Sequence, residues 1–159
     1  MHWKVKREFL SRVEVFENLS LRDLKAVAKS CSESSYNEGE YLCRQGERGV
    51  AAFLIVSGTV RIENELEDGN KVLLTKLGQG AMVGELSIID GAERVASIQA
   101  DEEVTALVLA QWSMLGLLKD RPSIAAAMLP IIVKRFRQTT AELRRRESDS
   151  SIARKSIFQ

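Results

Sequence analysis

Residues 78–97 of this 159-residue chain read Gly-Gln-Gly-Ala-Met-Val-Gly-Glu-Leu-Ser-Ile-Ile-Asp-Gly-Ala-Glu-Arg-Val-Ala-Ser, and they are its most informative stretch. The stretch lacks the Gly-Lys-Ser/Thr ending of a Walker A loop. Its glycine spacing differs from that of a dinucleotide-binding fingerprint, and no βαβ pattern precedes it. It does contain a glycine before a short helical turn, a carboxylate at the start of that turn (Glu85), and an arginine nine residues later (Arg94).

Glu85 and Arg94 together favour an anionic ligand that also carries hydroxyl groups. Free backbone N–H groups at the start of a helix attract an anion, and an arginine on the other side completes a phosphate clamp. A carboxylate would repel a phosphate unless it faces a donor such as a sugar hydroxyl. The two residues therefore predict a nucleotide or a sugar phosphate, and a plain Glu85–Arg94 salt bridge is the alternative of equal weight.

Residues 84–87 (Gly-Glu-Leu-Ser) and 93–96 (Glu-Arg-Val-Ala) closely resemble the phosphate-binding cassette of the cyclic nucleotide-binding domain family. Segments 16–20, 38–47 and 53–60 are similar to the family's first helix, first strands and central hairpin. The resemblance covers almost the whole chain, and within the family it is greatest to the bacterial catabolite-activator group. It implies a mainly β fold, an eight-stranded jelly roll (double-stranded β-helix) with flanking helices, followed by a long C-terminal helix.

The same resemblance implies a role for each candidate site residue. Glu85 would accept a hydrogen bond from the ribose 2′-hydroxyl, and Arg94 would pair with the cyclic phosphate. Backbone N–H groups near Leu86, Ser87 and Val95 would bind the same phosphate. Val95 lacks the hydroxyl that some members place near the base, which bears on selectivity. The full predicted ligand-binding set is Gly84, Glu85, Leu86, Ser87, Arg94, Val95, Thr139 and Thr140.

Thr139 and Thr140 belong to this set because two adjacent hydroxyl residues on the C-terminal helix meet the adenine in the catabolite-activator group. A threonine oxygen can accept a hydrogen bond from the amino group of adenine. The alternative, that both are tolerated surface residues, has equal weight. The resemblance thus implies cAMP as the ligand, with cGMP as the second candidate, and no cofactor, metal or catalytic residue.

The sequence pattern around the cassette is typical of an antiparallel β structure. Asp68-Gly69 lies between two apolar runs and predicts a hairpin, since glycine tolerates the positive φ that such turns need. Short apolar runs separated by glycine-containing turns favour a sandwich or barrel rather than a parallel α/β sheet. The predicted strands cover 52–56, 59–62, 72–77, 95–100 and 104–109.

Helical patterns flank this β region on both sides. Ser20 followed by Asp23 resembles a capping box at the start of an amphipathic helix. We expect a helical segment at 8–31, the jelly roll at 35–110 and C-terminal helices at 111–147, all within one domain over 1–147, and then a polar tail at 148–159.

The C-terminal helix carries a short coiled-coil seam. Ile132, Phe136, Thr139 and Leu143 are spaced 4, 3 and 4 residues apart, the spacing that packs two helices together. The seam predicts a homodimer, and the alternative is one helix that packs its stripe against its own barrel. We favour the dimer, because Thr139 interrupts the apolar seam and is an odd choice for a plain core.

Composition excludes several classes of protein. The formal net charge is only +1, although residues 131–159 carry 8 basic and 3 acidic side chains, so the whole chain is not an obvious nucleic-acid binder. No apolar run approaches the ~20 residues of a membrane span, and the start lacks a signal-peptide core, so we expect a cytoplasmic protein. Cys31 and Cys43 form no metal or disulfide pattern, and His2 is the sole histidine.

These observations predict a non-enzymatic, cAMP-preferring sensor that signals through its C-terminal helix. No segment after residue 147 has room for a helix-turn-helix, so direct DNA binding is not expected. One alternative is a fold relative without a ligand that acts as a dimerising scaffold. The other is a nucleic-acid contact through the basic C-terminal arm.

Overall fold

The computed structural model describes residues 1–157, with side chains described through Arg154. Along the chain the elements are α1 (Trp3–Ser11), a 3₁₀ turn (Glu14–Phe16), α2 (Leu21–Ser30), β1 (Ser32–Tyr36), β2 (Tyr41–Cys43), β3 (Ala51–Ser57), β4 (Val60–Glu65), β5 (Lys71–Leu77), β6 (Met82–Val83), α3 (Ser87–Asp90), β7 (Ser97–Ala100), β8 (Val104–Ala110), α4 (Gln111–Asp120) and α5 (Pro122–Ile157).

The strands form two four-stranded antiparallel sheets, in the orders β1-β8-β3-β6 and β2-β7-β4-β5. Helices lie on either side of this β region in the chain, and the long α5 follows it. The prediction of a mainly β jelly roll with flanking helices and a long C-terminal helix is therefore confirmed.

Strand β3 contributes side chains to two hydrophobic clusters, one on each of its faces. Ala52 and Leu54 belong to the cluster that also contains the buried residues of the helices. Phe53 and Ile55 point to the opposite side and join the second cluster, which contains buried residues of the other sheet. Successive side chains of a strand alternate between its faces, so a continuous apolar run suits a strand that is covered on both sides.

The predicted hairpin lies between β4 and β5, which pair in antiparallel register. Gly69 has a φ of +82°, and Asp68 Oδ1 accepts a hydrogen bond from the backbone N–H of Asn70 at 2.9 Å. This turn leads into β5, an edge strand of the second sheet that is exposed along most of its length.

Asp23 ties α2 to the start of α5. The hydroxyl of Ser20 accepts from the Asp23 backbone N–H at 3.1 Å, so the predicted helix cap is confirmed. The Asp23 carboxylate accepts from the Ser123 hydroxyl at 2.5 Å and from Arg121 at 3.3 Å. The hydrogen bond from Ser123, and after it Arg121, hold the pKa of the Asp23 carboxyl below its usual value although burial opposes this.

Helix α5 differs from the prediction in two respects. It continues to Ile157, the last described residue, where the sequence predicts a polar tail from 148 onward. The end of that predicted tail, 158–159, lies outside the described residues. Ile132 packs against the helical core cluster, so it is not free to join an exposed seam. The exposed apolar stripe of α5 instead runs through Leu129, Val133, Phe136 and Leu143.

Candidate functional site

A cavity of about 520 Å³ lies between the second sheet and the segment that follows β6. Ile62 of β4 and Leu77 of β5 contribute to a mostly apolar lining. Six of the eight predicted site residues also line it: Gly84, Glu85, Leu86, Ser87, Arg94 and Val95. The cassette residues singled out from the sequence therefore share one cavity.

Arg94 is the buried cation of this cavity. Its exposed fraction is 8%, and its Nη1 donates to the Ser87 hydroxyl at 2.7 Å while Nη2 donates to the Ala51 carbonyl. Its Nε has no hydrogen-bond partner, and no carboxylate among the described side chains forms an ion pair with it. A buried guanidinium without a counter-charge is costly, and an anion in the cavity would offset that cost.

The backbone around Arg94 is held by the turn that follows β2. The Arg94 N–H donates to the Glu47 carbonyl at 2.7 Å, and the Arg94 carbonyl accepts from the Gly46 N–H at 2.8 Å. Two residues before Arg94, the Ala92 carbonyl accepts from the Gly49 N–H at 2.9 Å. These bonds hold the backbone of the arginine in place.

Gly84 gives the guanidinium its space. Its φ is +80°, a conformation that residues with a side chain rarely adopt. A Cβ at this position would also collide with Nη1 of Arg94 and would lie 3.1 Å from the Ala51 carbonyl oxygen. The position therefore requires glycine for two independent reasons.

Three backbone donors belong to residues that line the same cavity as the arginine. Within residues 1–157, the N–H groups of Leu86, Ser87 and Val95 donate to no protein oxygen. Together with the unpartnered Nε of Arg94, these donors match the needs of a phosphate group. The residues present thus fit the predicted phosphate subsite.

Glu85 has a partner that the sequence did not predict. Its Oε1 accepts from Nη1 of Arg135, which belongs to α5. The same guanidinium lies 3.8 Å from Oε2 of Glu14, at the start of the 3₁₀ turn. The alternative of a Glu85–Arg94 salt bridge is therefore wrong. Arg135 was missed because nothing local distinguishes it from the other basic residues of the C-terminal segment.

Thr139 and Thr140, the other two predicted site residues, do not line the cavity. Thr139 is exposed, and the Thr140 hydroxyl donates to the Phe136 carbonyl at 2.9 Å. Their contact with a base stays a prediction, and it requires α5 of this chain or of another copy to come closer to the site.

The described residues offer no obvious metal centre and no membrane-spanning helix. Within residues 1–157, no group of three or more His, Cys, Asp or Glu side chains could hold a metal ion. No helix in the same range combines the length and the apolar character that crossing a bilayer requires. Both cysteines are free and buried, and burial raises the pKa of the Cys31 thiol to about 11.

The fold and the cavity define a nucleotide-binding regulatory domain, and comparison with known proteins agrees. The family model for the cyclic nucleotide-binding domain matches residues 33–121, so the chain belongs to that family. A CRP-like cAMP-activated global transcriptional regulator of Mycobacterium tuberculosis is 31% identical over 136 residues, which cover 86% of this chain and 61% of that protein.

Two solved structures show the same fold. The N-terminal domain of a transcriptional regulator from Streptomyces coelicolor A3(2) has a TM-score of 0.76 at 29% identity, covering 82% of this chain and 94% of that one. The Thermus thermophilus catabolite activator protein has a TM-score of 0.69 at 29% identity, covering 82% of this chain and 61% of that one. The chain thus spans about three fifths of the length of the full-length regulators it matches.

Proposed function

We propose that this chain is a non-enzymatic, cAMP-preferring sensor module of the cytoplasm that signals through α5. The observation that carries the proposal is the buried Arg94, whose Nε lacks a partner in a mostly apolar cavity that also contains Glu85. A cyclic phosphate would supply the missing counter-charge, and the apolar wall suits the face of a purine.

Each residue of the site has a distinct role in this proposal. Arg94 and the N–H groups of Leu86, Ser87 and Val95 bind the cyclic phosphate. One carboxylate oxygen of Glu85 accepts from the ribose 2′-hydroxyl while the other stays with Arg135 of α5.

The preference for cAMP is supported by what the relatives are named for. The regulator of M. tuberculosis is described as cAMP-activated, and a relative from Thermus thermophilus, 30% identical over 129 residues, is described as a cyclic AMP receptor protein. Since the chain spans about three fifths of both, its output partner belongs to the proposal rather than to the comparison.

Thermal unfolding with and without nucleotide tests the proposal. At one hundred times the dissociation constant, cAMP should stabilise the fold by about 2.7 kcal/mol, which raises Tm by roughly 5–10 °C for a domain of this size. cGMP at equal concentration should raise it less, and 5′-AMP, which lacks the cyclic phosphate, is the control. Unchanged melting with all cyclic nucleotides would favour a scaffold without a ligand.

We also propose that α5 mediates a homodimer. The predicted seam was Ile132, Phe136, Thr139 and Leu143, and two of these apolar side chains, Phe136 and Leu143, are 72% and 56% exposed. Leu129 and Val133 extend the exposed stripe in place of Ile132.

A pair of matched variants tests the dimer. Phe136→Glu should shift the dimer toward monomer in sedimentation equilibrium, because it places a charge in the apolar stripe. Gln138→Glu adds the same charge at another exposed position of α5, outside the stripe, and should leave the mass unchanged. A wild-type monomer at high micromolar concentration would contradict the dimer.

A further inference from the structure

Arg135 joins three parts of the chain that are far apart in sequence. From α5, its Nη1 donates to Oε1 of Glu85, in the cassette, and its Nη2 lies 3.8 Å from Oε2 of Glu14, in the 3₁₀ turn. The side chains of Arg135 and Glu85 are 28% and 15% exposed, and that of Glu14 is 45% exposed. The 3₁₀ turn thus reaches the candidate ribose subsite through one guanidinium.

The geometry of a guanidinium links the contact with Glu14 to the contact with Glu85. Its nitrogens form a rigid planar fork, so the attraction between Nη2 and the Glu14 carboxylate, 3.8 Å away, favours the orientations of Arg135 that also bring Nη1 to Glu85. Without the first partner, a long arginine side chain regains rotamer freedom. The orientation of Arg135 toward Glu85 therefore depends in part on Glu14.

We propose that Glu14 is a positioning residue for the nucleotide site: it orients Arg135, which in turn holds the Glu85 carboxylate for the ribose 2′-hydroxyl. This inference rests on the proposed function, since it concerns the same ligand. Glu14 is not among the residues that line the cavity, so in this proposal it acts through Arg135.

The neighbouring acidic residues do not share this role. Glu8, on α1, forms a local pair with Arg12. Glu17, which directly follows the 3₁₀ turn, is exposed and forms no ion pair among the described side chains. Glu17→Gln is therefore a control that removes the same charge from the residue that follows the turn.

The test compares two ligands that differ by one hydroxyl. Calorimetric titration should show that Glu14→Gln weakens cAMP binding by about two- to fivefold, the range expected for a partly exposed ion pair. Binding of 2′-deoxy-cAMP, which cannot donate to Glu85, should not change, and Glu17→Gln should affect neither ligand. In an Arg135→Gln background, Glu14→Gln should have no further effect on cAMP.

Several results would overturn the inference. An equal loss for both ligands would indicate that Glu14 only supports the packing of the turn, and unchanged or tighter cAMP binding would show that it does not position Arg135. An equal loss of cAMP affinity in Glu17→Gln would show that the effect comes from removing any negative charge near the turn. If the wild-type chain binds neither nucleotide, the proposed function fails and this inference fails with it, which is a different outcome from binding that Glu14→Gln leaves intact.

Discussion

Replacing Arg94 by Met should separate the stability of the fold from its ability to bind a nucleotide. Methionine keeps most of the length and apolar stem of the side chain and removes the charge. It therefore leaves less of a cavity than alanine would. Stability and affinity should respond differently, because the charge is costly without a ligand and useful with one.

The expected change in stability follows from the contacts of the guanidinium. Its burial, with 8% exposed, carries a desolvation penalty of several kcal/mol. Its two hydrogen bonds return about 1.5–3 kcal/mol each, so the two contributions nearly cancel. After substitution the Ser87 hydroxyl and the Ala51 carbonyl each lose one donor, but the Ser87 hydroxyl still donates to the Gly84 carbonyl at 3.0 Å. We expect the free energy of unfolding without ligand to stay within about 1 kcal/mol of wild type.

The expected change in binding is larger. A charge-assisted contact to the phosphate contributes roughly 1.5–3 kcal/mol, so the dissociation constant should rise about 10- to 150-fold. At a cAMP concentration that stabilises wild type by about 2.7 kcal/mol, the variant should gain only about 0.3–1.4 kcal/mol. Its ligand-induced rise in Tm should fall to about 1–5 °C.

Thermal melts with and without cAMP, combined with calorimetric titration, measure both quantities on one preparation. Arg22→Met, at an exposed position of α2, is the matched control and should bind cAMP like wild type. The reasoning is refuted if Arg94→Met loses more than about 2 kcal/mol without ligand. It is equally refuted if cAMP affinity stays within about threefold of wild type.

Gly84→Ala should lower both cAMP affinity and stability, because the new Cβ meets the buried guanidinium; Gly80→Ala, at a similar φ (+88°) but in open space, should leave affinity intact in titrations. Replacing Thr139 and Thr140 together by Ala should weaken cAMP more than cGMP in competition binding, and equal losses would argue against contact with adenine. The lowered pKa of Asp23 means that its stabilising effect is complete above its usual pKa of about 4 and disappears as the pH falls through the lower folded value. Urea denaturation across this pH range should show a steeper loss of stability with falling pH for wild type than for Asp23→Asn. Parallel plots of unfolding free energy against pH would show that the Asp23 carboxylate does not cause the pH dependence.

The parts of the fold that the sequence predicts well are those with a local physical signal. Asp68-Gly69 identifies its hairpin through turn chemistry, and Ser20 identifies the start of α2 through its cap. Strand β1 (Ser32–Tyr36) has mostly polar residues and sits at a sheet edge, so no apolar run indicates it. Strand β6 contains only two residues, too few for any periodicity.

The candidate site divides in the same way. The cassette residues are contiguous in the chain, so a motif reveals them together. Arg135 is brought to Glu85 by the packing of α5, and no pattern in the sequence encodes that approach. The face of α5 that meets the core could not be predicted either, because an apolar residue such as Ile132 can face either the core or a partner.

The contacts between α5 and the cassette also limit how strongly a nucleotide can act on that helix. A ligand shifts a conformational equilibrium only by its difference in affinity for the two states. If the ribose acts through Glu85 and Arg135 alone, one hydrogen bond of about 0.5–1.5 kcal/mol shifts the equilibrium of α5 about 2- to 13-fold. A larger shift requires a second contact, and Thr139 and Thr140 are the residues proposed to supply it. Hydrogen exchange over residues 132–146, measured with cAMP and with 2′-deoxy-cAMP, therefore tests the route through Glu85 and Arg135: a change in protection that survives loss of the 2′-hydroxyl must pass through the base or the phosphate.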